Sequence, residues 1–273
     1  MTLIITALAN DAVVQVSDRR LTLPGRTVFS EDANKAICFG CADAHVSLAY
    51  TGLARIGTTP IDHWLVDLLT DNRLANEPFP KAVEAVARLA TERFRELRPL
   101  GEGRRLSLVF SGFGHLRPVM ALVSNSEDSS GSWLPRVSDT FATGLWLRNE
   151  KTMRKLDLMV SGAVAAVTSD LVEAIKRIRK RFLARTPEER VNVLVQVLRR
   201  AANEREYGWL IGQECMGVIV APEGRFQATF HPSSNAALSY MPHFVQHWMS
   251  VRDVWISTDE NQRPQWARRR HQT

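Results

Sequence analysis

The sequence predicts an α+β fold: two antiparallel sheets packed face to face, with pairs of helices covering their outer surfaces in a four-layer αββα sandwich. Three observations carry this expectation. Segments rich in β-branched residues alternate with amphipathic segments in the order strands, two helices, strands, two helices, strands. The strand segments come in pairs around turn residues, which marks hairpins and hence antiparallel pairing. Each such sheet has two apolar faces, and a second sheet plus a helix pair buries both.

The elements follow in chain order. Thr2 to Leu8 and Ala12 to Val16 form a hairpin around Asn10-Asp11. A polar loop from Leu23 to Asn34, with Pro24-Gly25, leads to a second hairpin of Lys35 to Phe39 and Val46 to Tyr50, closed by Gly52. Helical periodicity then runs over about Pro60 to Leu69 and Pro80 to Leu97, with both prolines suited to a first turn. Arg105 to Phe110 and Val119 to Ser124 flank a turn region, Gly112 to Pro118, and Trp133 to Leu147 and Met153 to Val160 supply two more strands. Helices are expected over Val164 to Leu183 and Pro187 to Glu206, the second opened by Thr186-Pro187-Glu188-Glu189. Glu214 to Ala221, Arg225 to His231 and Val251 to Ser257 are the last strands. In this arrangement Val13 and Ile37 should be buried on inward faces.

Composition removes several classes of function. The chain has 273 residues, 45% hydrophobic and 23% charged, which excludes a disordered chain. No apolar run approaches the roughly 18 residues of a membrane span. Three cysteines lack the spacing of a disulfide framework, and the opening Met1-Thr2-Leu3-Ile4-Ile5 has no basic region before Asp11. A soluble, cytoplasmic protein is the expectation. The 35 Lys+Arg exceed the 29 Asp+Glu, for a net charge of +6. Much of the basic excess lies in Lys176 to Arg185 and in the tail Arg263 to His271. The first surrounds an apolar helical stripe and the second follows Pro264, so both read as solvated surface, and nucleic acid is an unlikely partner.

Several residues admit a chemical reading beside a plain one. Cys38-Phe39-Gly40-Cys41 with His45 offers metal ligands or a dithiol, but there is no second such pair and the motif ends a strand, so structural cysteines are favoured. His231, His243 and His247 lack ligand spacing and read as packing or surface residues. Ser111-Gly112-Phe113-Gly114 lacks the glycine two before the serine that a nucleophile elbow needs. Thr2 alone is simply the start of an edge strand. Asp18 lies sixteen residues on, at the other end of the same hairpin, so the two come close; Lys35 opens the next strand. By themselves Asp18-Arg19-Arg20 suits a surface turn, Gly52 a strand end and Ser161 a helix N-cap.

Together these residues resemble a known family. Thr2-Leu3-Ile4-Ile5, Val13-Val14-Gln15-Val16-Ser17-Asp18-Arg19-Arg20, Lys35, Ala49-Tyr50-Thr51-Gly52, Val109-Phe110-Ser111-Gly112-Phe113-Gly114 and Ser161-Gly162 are similar to proteasome β-subunits and to the peptidase subunit of the ATP-dependent HslUV protease. Both are N-terminal-nucleophile (Ntn) hydrolases, with the αββα fold. The likeness implies one domain over residues 1–273, with a core of about 2–222 and a C-terminal extension of about 223–273.

It also implies roles. After removal of Met1 the hydroxyl of Thr2 would attack a peptide or other amide carbonyl, its free α-amine acting as the base. Lys35 would lower the pKa of that pair and Asp18 would keep the lysine charged. Gly52 would supply an oxyanion-hole N–H, and Ser161 would sit near the nucleophile. Arg19 is a further candidate for the same cluster. No cofactor or metal is implied. A homo-oligomer is, a ring among the forms, and the HslUV likeness would bring an ATPase partner. One departure weighs toward an alternative, a catalytically silent Ntn-fold protein acting as a binding or assembly module. The family's distal aspartate and serine fall in Arg205 to Gly212, where Glu206 is the available carboxylate and the serine has no counterpart.

Overall fold

The structure, a computed structural model, describes residues 2–23, 27–97, 104–128, 132–147, 157–163, 179–233, 241–246 and 249–251. Hairpins organise it from the start. β1 (Leu3–Leu8) turns at Asn10-Asp11 into β2 (Val13–Asp18), with Ile4 opposite Ser17. β3 (Leu21–Leu23) and β4 (Thr27–Ser30) form a small ribbon, and β5 (Ala36–Gly40) and β6 (Ala44–Gly52) the next hairpin. A second ribbon, β7 (Arg55–Ile56) and β8 (Thr59–Pro60), leads into α1 (Ile61–Asp71) and α2 (Phe79–Glu96). Then come β9 (Leu106–Gly114), β10 (Arg117–Ser124), β11 (Ala142–Leu147) and β12 (Asp157–Gly162). After α3 (Arg179–Leu183) and α4 (Pro187–Asn203), the chain adds β13 (Cys215–Val220), β14 (Phe226–His231), β15 (His243–Gln246) and β16 (Met249–Val251). No helix among the described residues is long and apolar enough to cross a membrane.

The α+β class read from the sequence is the one observed. One sheet has five strands in the order β12-β1-β2-β13-β14, all antiparallel. The other has seven, ordered β11-β10-β9-β6-β5-β15-β16. Here the expectation of purely antiparallel sheets needs correction, because β15 runs parallel to β5. About 200 residues separate those two strands, ample for the crossover a parallel pair needs.

Three apolar clusters follow from the two-residue alternation of the strands. Ile4, Leu8, Val13, Cys38, Ala49, Val109, Leu122, Met216 and Val218, drawn from both sheets, form one. Leu3, Ile5, Val14 and Val16, on the opposite face of β1 and β2, join Val191, Leu194, Val195 and Leu198 of α4 in the second. The third joins Ile37, Phe39, Leu48 and Phe110 with Leu65 and Leu69 of α1 and Val86, Ala90 and Phe94 of α2. Strands buried on both faces explain why β1, β2 and β5 read as nearly continuous apolar runs. Val13 lies with residues of both sheets, as expected. Ile37 does not: it packs with the helices, and its neighbour Cys38 faces the other way. α4 opens on a capping box, with Glu189 N–H bonding Thr186 Oγ1 at 3.3 Å and Thr186 N–H bonding Glu189 Oε2 at 2.9 Å. Arg190 then forks onto Asp11 at 2.8 and 2.7 Å, tying the helix to the β1–β2 turn.

Other boundaries differ for local reasons. The loop expected over Leu23 to Asn34 contains the β3–β4 ribbon, whose Val28 and Phe29 are exposed and so carry no buried pattern. The turn expected over Gly112 to Pro118 shrinks to His115 and Leu116, both at positive φ, and β9 runs on to Gly114. Of the strand expected over Trp133 to Leu147 only Ala142–Leu147 is extended, with Trp133 making an isolated bridge to Glu127. Residues 164–178 of the third expected helix, His247, residues 252–257 and the basic tail lie outside the described residues.

Candidate active site

The β1–β2 hairpin places Thr2 beside the end of β2. Asp18, fully buried, accepts the Leu3 N–H at 2.8 Å on Oδ1, and the Arg20 and Gly212 N–H groups at 3.0 and 3.1 Å on Oδ2. Lys35, immediately before β5, is also fully buried. Its ammonium donates to Thr2 Oγ1 and to the Arg20 carbonyl, and stands 3.6 Å from Asp18 Oδ2. Burial pulls the Lys35 pKa down to about 8, against the opposing pull of Asp18, which leaves the group mostly charged at neutral pH.

Thr2 is pinned from two further sides. Its N–H donates to Thr51 Oγ1 and its carbonyl accepts from the same hydroxyl, each at 3.0 Å. The Ala163 N–H reaches that carbonyl at 3.0 Å as well. Gly52 follows Thr51, the residue bonded to Thr2. It is held at φ +109°, where a Cβ would lie 2.0 Å from the Arg105 carbonyl oxygen, so only glycine fits.

Ser161 pairs with Ile4 in register and therefore lies on the same face of the sheet as Ile4 and Thr2. Its hydroxyl donates to both oxygens of Glu127, at 2.9 and 3.1 Å, and the Gly162 N–H reaches Oε1 at 3.3 Å. Glu127 is 1% exposed, and burial raises its pKa. Ser161 is thus inside a strand with its side chain engaged, and is no helix cap.

One sequence expectation is corrected. Glu206 is exposed and does not supply the missing distal carboxylate. The carboxylate on Ser161 is Glu127, which reaches it from the turn after β10. The segment Glu204 to Gly212 instead gives backbone groups: Gly212 N–H to Asp18, and the Gly208 carbonyl to the Arg20 guanidinium. Arg19 is buried beside this cluster, and its charge opposes that of Lys35. It donates to the carbonyls of Ala33 at 3.2 Å and Asp32 at 2.8 Å, and stacks 4.7 Å over Phe230. Glu127 was missed because Ser124-Asn125-Ser126-Glu127-Asp128 reads as an ordinary polar turn; backbone donors leave no residue signature at all.

Elsewhere, burial raises the thiols of Cys38, Cys41 (to about 11) and Cys215 (to about 12), which leaves them protonated and inert at neutral pH. His243, expected as a packing or surface residue, is fully buried and joins Asp62 and His63, whose ligand-type atoms all lie within 4.8 Å of one another. Its Nε2 is 3.0 Å from Asp62 Oδ2, a pair that ties α1 to β15.

No family model matches this sequence, and no curated protein does. Among solved structures the chain is similar to the Anbu (Gly-1) mutant from Hyphomicrobium sp. strain MC1, at 12% identity and a TM-score of 0.54. The match covers 86% of this chain and 89% of that one. The likeness shows the fold alone, a distant proteasome-like one.

Proposed function

We propose that the chain is an N-terminal-threonine hydrolase that cleaves peptide or other amide bonds once Met1 has been removed. The observation that carries this reading is the buried contact of Lys35 with Thr2 Oγ1, backed by Asp18 at 3.6 Å. A buried ammonium on a hydroxyl favours the alkoxide-like form and lowers the pKa of a neighbouring amine. The freed α-amine takes the Oγ proton as Oγ adds to the carbonyl. The developing oxyanion is met by the Gly52 N–H; collapse expels the amine, which leaves with the transferred proton. An ester on Thr2 remains, and water, deprotonated by the α-amine, hydrolyses it.

The reading includes the four-layer αββα sandwich as a single proteasome-like domain in a soluble, cytoplasmic, homo-oligomeric protein. It is supported by the two sheets, the clusters on both sides of them and the Anbu likeness. The second reading, a silent Ntn-fold assembly module, is favoured by the lack of Asp and Ser side chains in Arg205 to Gly212. Turnover of a fluorogenic peptide-amide panel separates the two. Thr2→Ala should abolish turnover without loss of folding, and Thr2→Ser should retain part of it, since only a methyl group goes. Equal turnover in wild type and Thr2→Ala would defeat the hydrolase.

A further inference from the structure

Thr2 is held at two ends by different groups. Lys35, with Asp18 behind it, holds the hydroxyl. Thr51 and the segment Ser161 to Ala163 hold the backbone end, through the bonds to the Thr2 N–H and carbonyl. That segment has no slack. Gly162 sits at φ +86°, and a Cβ there would lie 1.9 Å from the Thr2 carbonyl oxygen. What fixes it is Glu127, which accepts from Ser161 and Gly162 and is also bonded by Ser107. Glu127 is fixed in turn: its N–H donates to Ser124 Oγ at 2.8 Å, and Ser124 ends β10. Glu127 thus brings a buried carboxylate from the turn after β10 onto Ser161 and Gly162.

We propose that Glu127 is a positioning residue, which holds Ser161 and Gly162 so that the backbone end of Thr2, its α-amine included, meets the hydroxyl in reactive geometry. The inference rests on the hydrolase reading above. A buried carboxylate with several donors also suits a purely structural lock, and two electrophiles tell the roles apart. A β-lactone bonds to Oγ alone: the oxygen acylates, the ring C–O bond breaks, and the Oγ proton passes to the ring oxygen by way of the α-amine, which forms no bond to the probe. A peptide epoxyketone bonds to both ends: Oγ adds to the ketone, whose oxygen takes the Oγ proton, and the amine nitrogen closes a ring by forming a C–N bond as an epoxide C–O bond breaks, the released oxygen taking the amine proton.

The test uses the full-length, processed chain with both probes, comparing inactivation rate constant and inhibitor binding constant for wild type, Glu127→Gln and Ser161→Ala. Hydrogen bonds to a charged acceptor set the expected scale. Glu127→Gln should slow epoxyketone inactivation by about 10- to 100-fold with the binding constant unchanged, and β-lactone acylation by about 3-fold or less. Ser161→Ala, which leaves the carboxylate in place, should show the same selective loss even if Glu127→Gln folds poorly. Wild-type rates with both probes in the two variants, or equal losses with both, would overturn the positioning role. Failure of processed wild type to react with either probe would instead take down the hydrolase reading, and this inference with it.

Discussion

Replacing Asp18 by asparagine isolates the electrostatics of the candidate site with little change of shape. The carboxylate accepts three backbone N–H groups and faces Lys35, all in buried surroundings. An amide has one acceptor oxygen. If that oxygen takes the place of Oδ2, keeping the Arg20 and Gly212 bonds, the new NH2 points at the Leu3 N–H and that bond is lost, at a cost of about 1.5–3 kcal/mol. Lys35 loses its counter-charge as well. Its pKa is already down to about 8, so shedding its proton at pH 7 caps that part near ~1.4 kcal/mol. The total is roughly 3–4 kcal/mol, which for a chain of this size is a fall in Tm of roughly 10 °C. Urea unfolding at pH 7, followed by circular dichroism, measures it. A second arm adds Lys35→Met. If the ion pair is real, the double variant should be more stable than the sum of the single losses by about 1 kcal/mol or more. An Asp18→Asn variant within ~0.5 kcal/mol of wild type, with additive losses, would refute this account of the cluster.

The remaining predictions use the same framework. Lys35 titrates at about 8 when folded against 10.5 otherwise, so between those values the unfolded chain holds more protons and stability rises with pH. The contribution is fully present above 10.5 and lost as pH falls to 8, about 3 kcal/mol in all; urea midpoints at pH 7.5 and 10 should show a rise that Lys35→Met abolishes. Gly162→Ala should displace the Thr2 carbonyl and slow epoxyketone inactivation by about 100-fold or more, read by intact mass. Cys38, Cys41 and Cys215 are buried with raised thiol pKa values, so iodoacetamide at pH 8 should leave the native chain unmodified and alkylate all three cysteines in urea.

The approach of Asp18 to Thr2 was legible because the β1–β2 hairpin converts their spacing along the chain into proximity, whereas Lys35 and the catalytic reading of Thr2 came only from the resemblance to proteasome β-subunits and the HslUV peptidase. The hairpins and helices were legible for a similar reason, since central strands and covering helices leave unbroken apolar patterns such as Leu3–Leu8 and Val191 to Leu198. What failed to show was carried by other physics. Glu127 meets Ser161 across 34 residues, and nothing in a polar turn announces a long-range partner. The Gly212 N–H and Gly208 carbonyl act as backbone, which every residue has. β15 is only His243–Gln246, too short for periodicity, and its parallel pairing depends on the whole topology. Phe29 and Val28 in the β3–β4 ribbon are exposed, so burial left no imprint on their spacing.

The central claim is that Thr2 is the nucleophile and that its free amine is part of the machinery. Intact mass of the purified chain before and after a peptide epoxyketone, followed by tryptic mapping, tests both halves at once. The account predicts a chain lacking Met1 and one adduct per chain, on the peptide Thr2 to Arg19. A chain that retains Met1 and carries no adduct on Thr2 would contradict it.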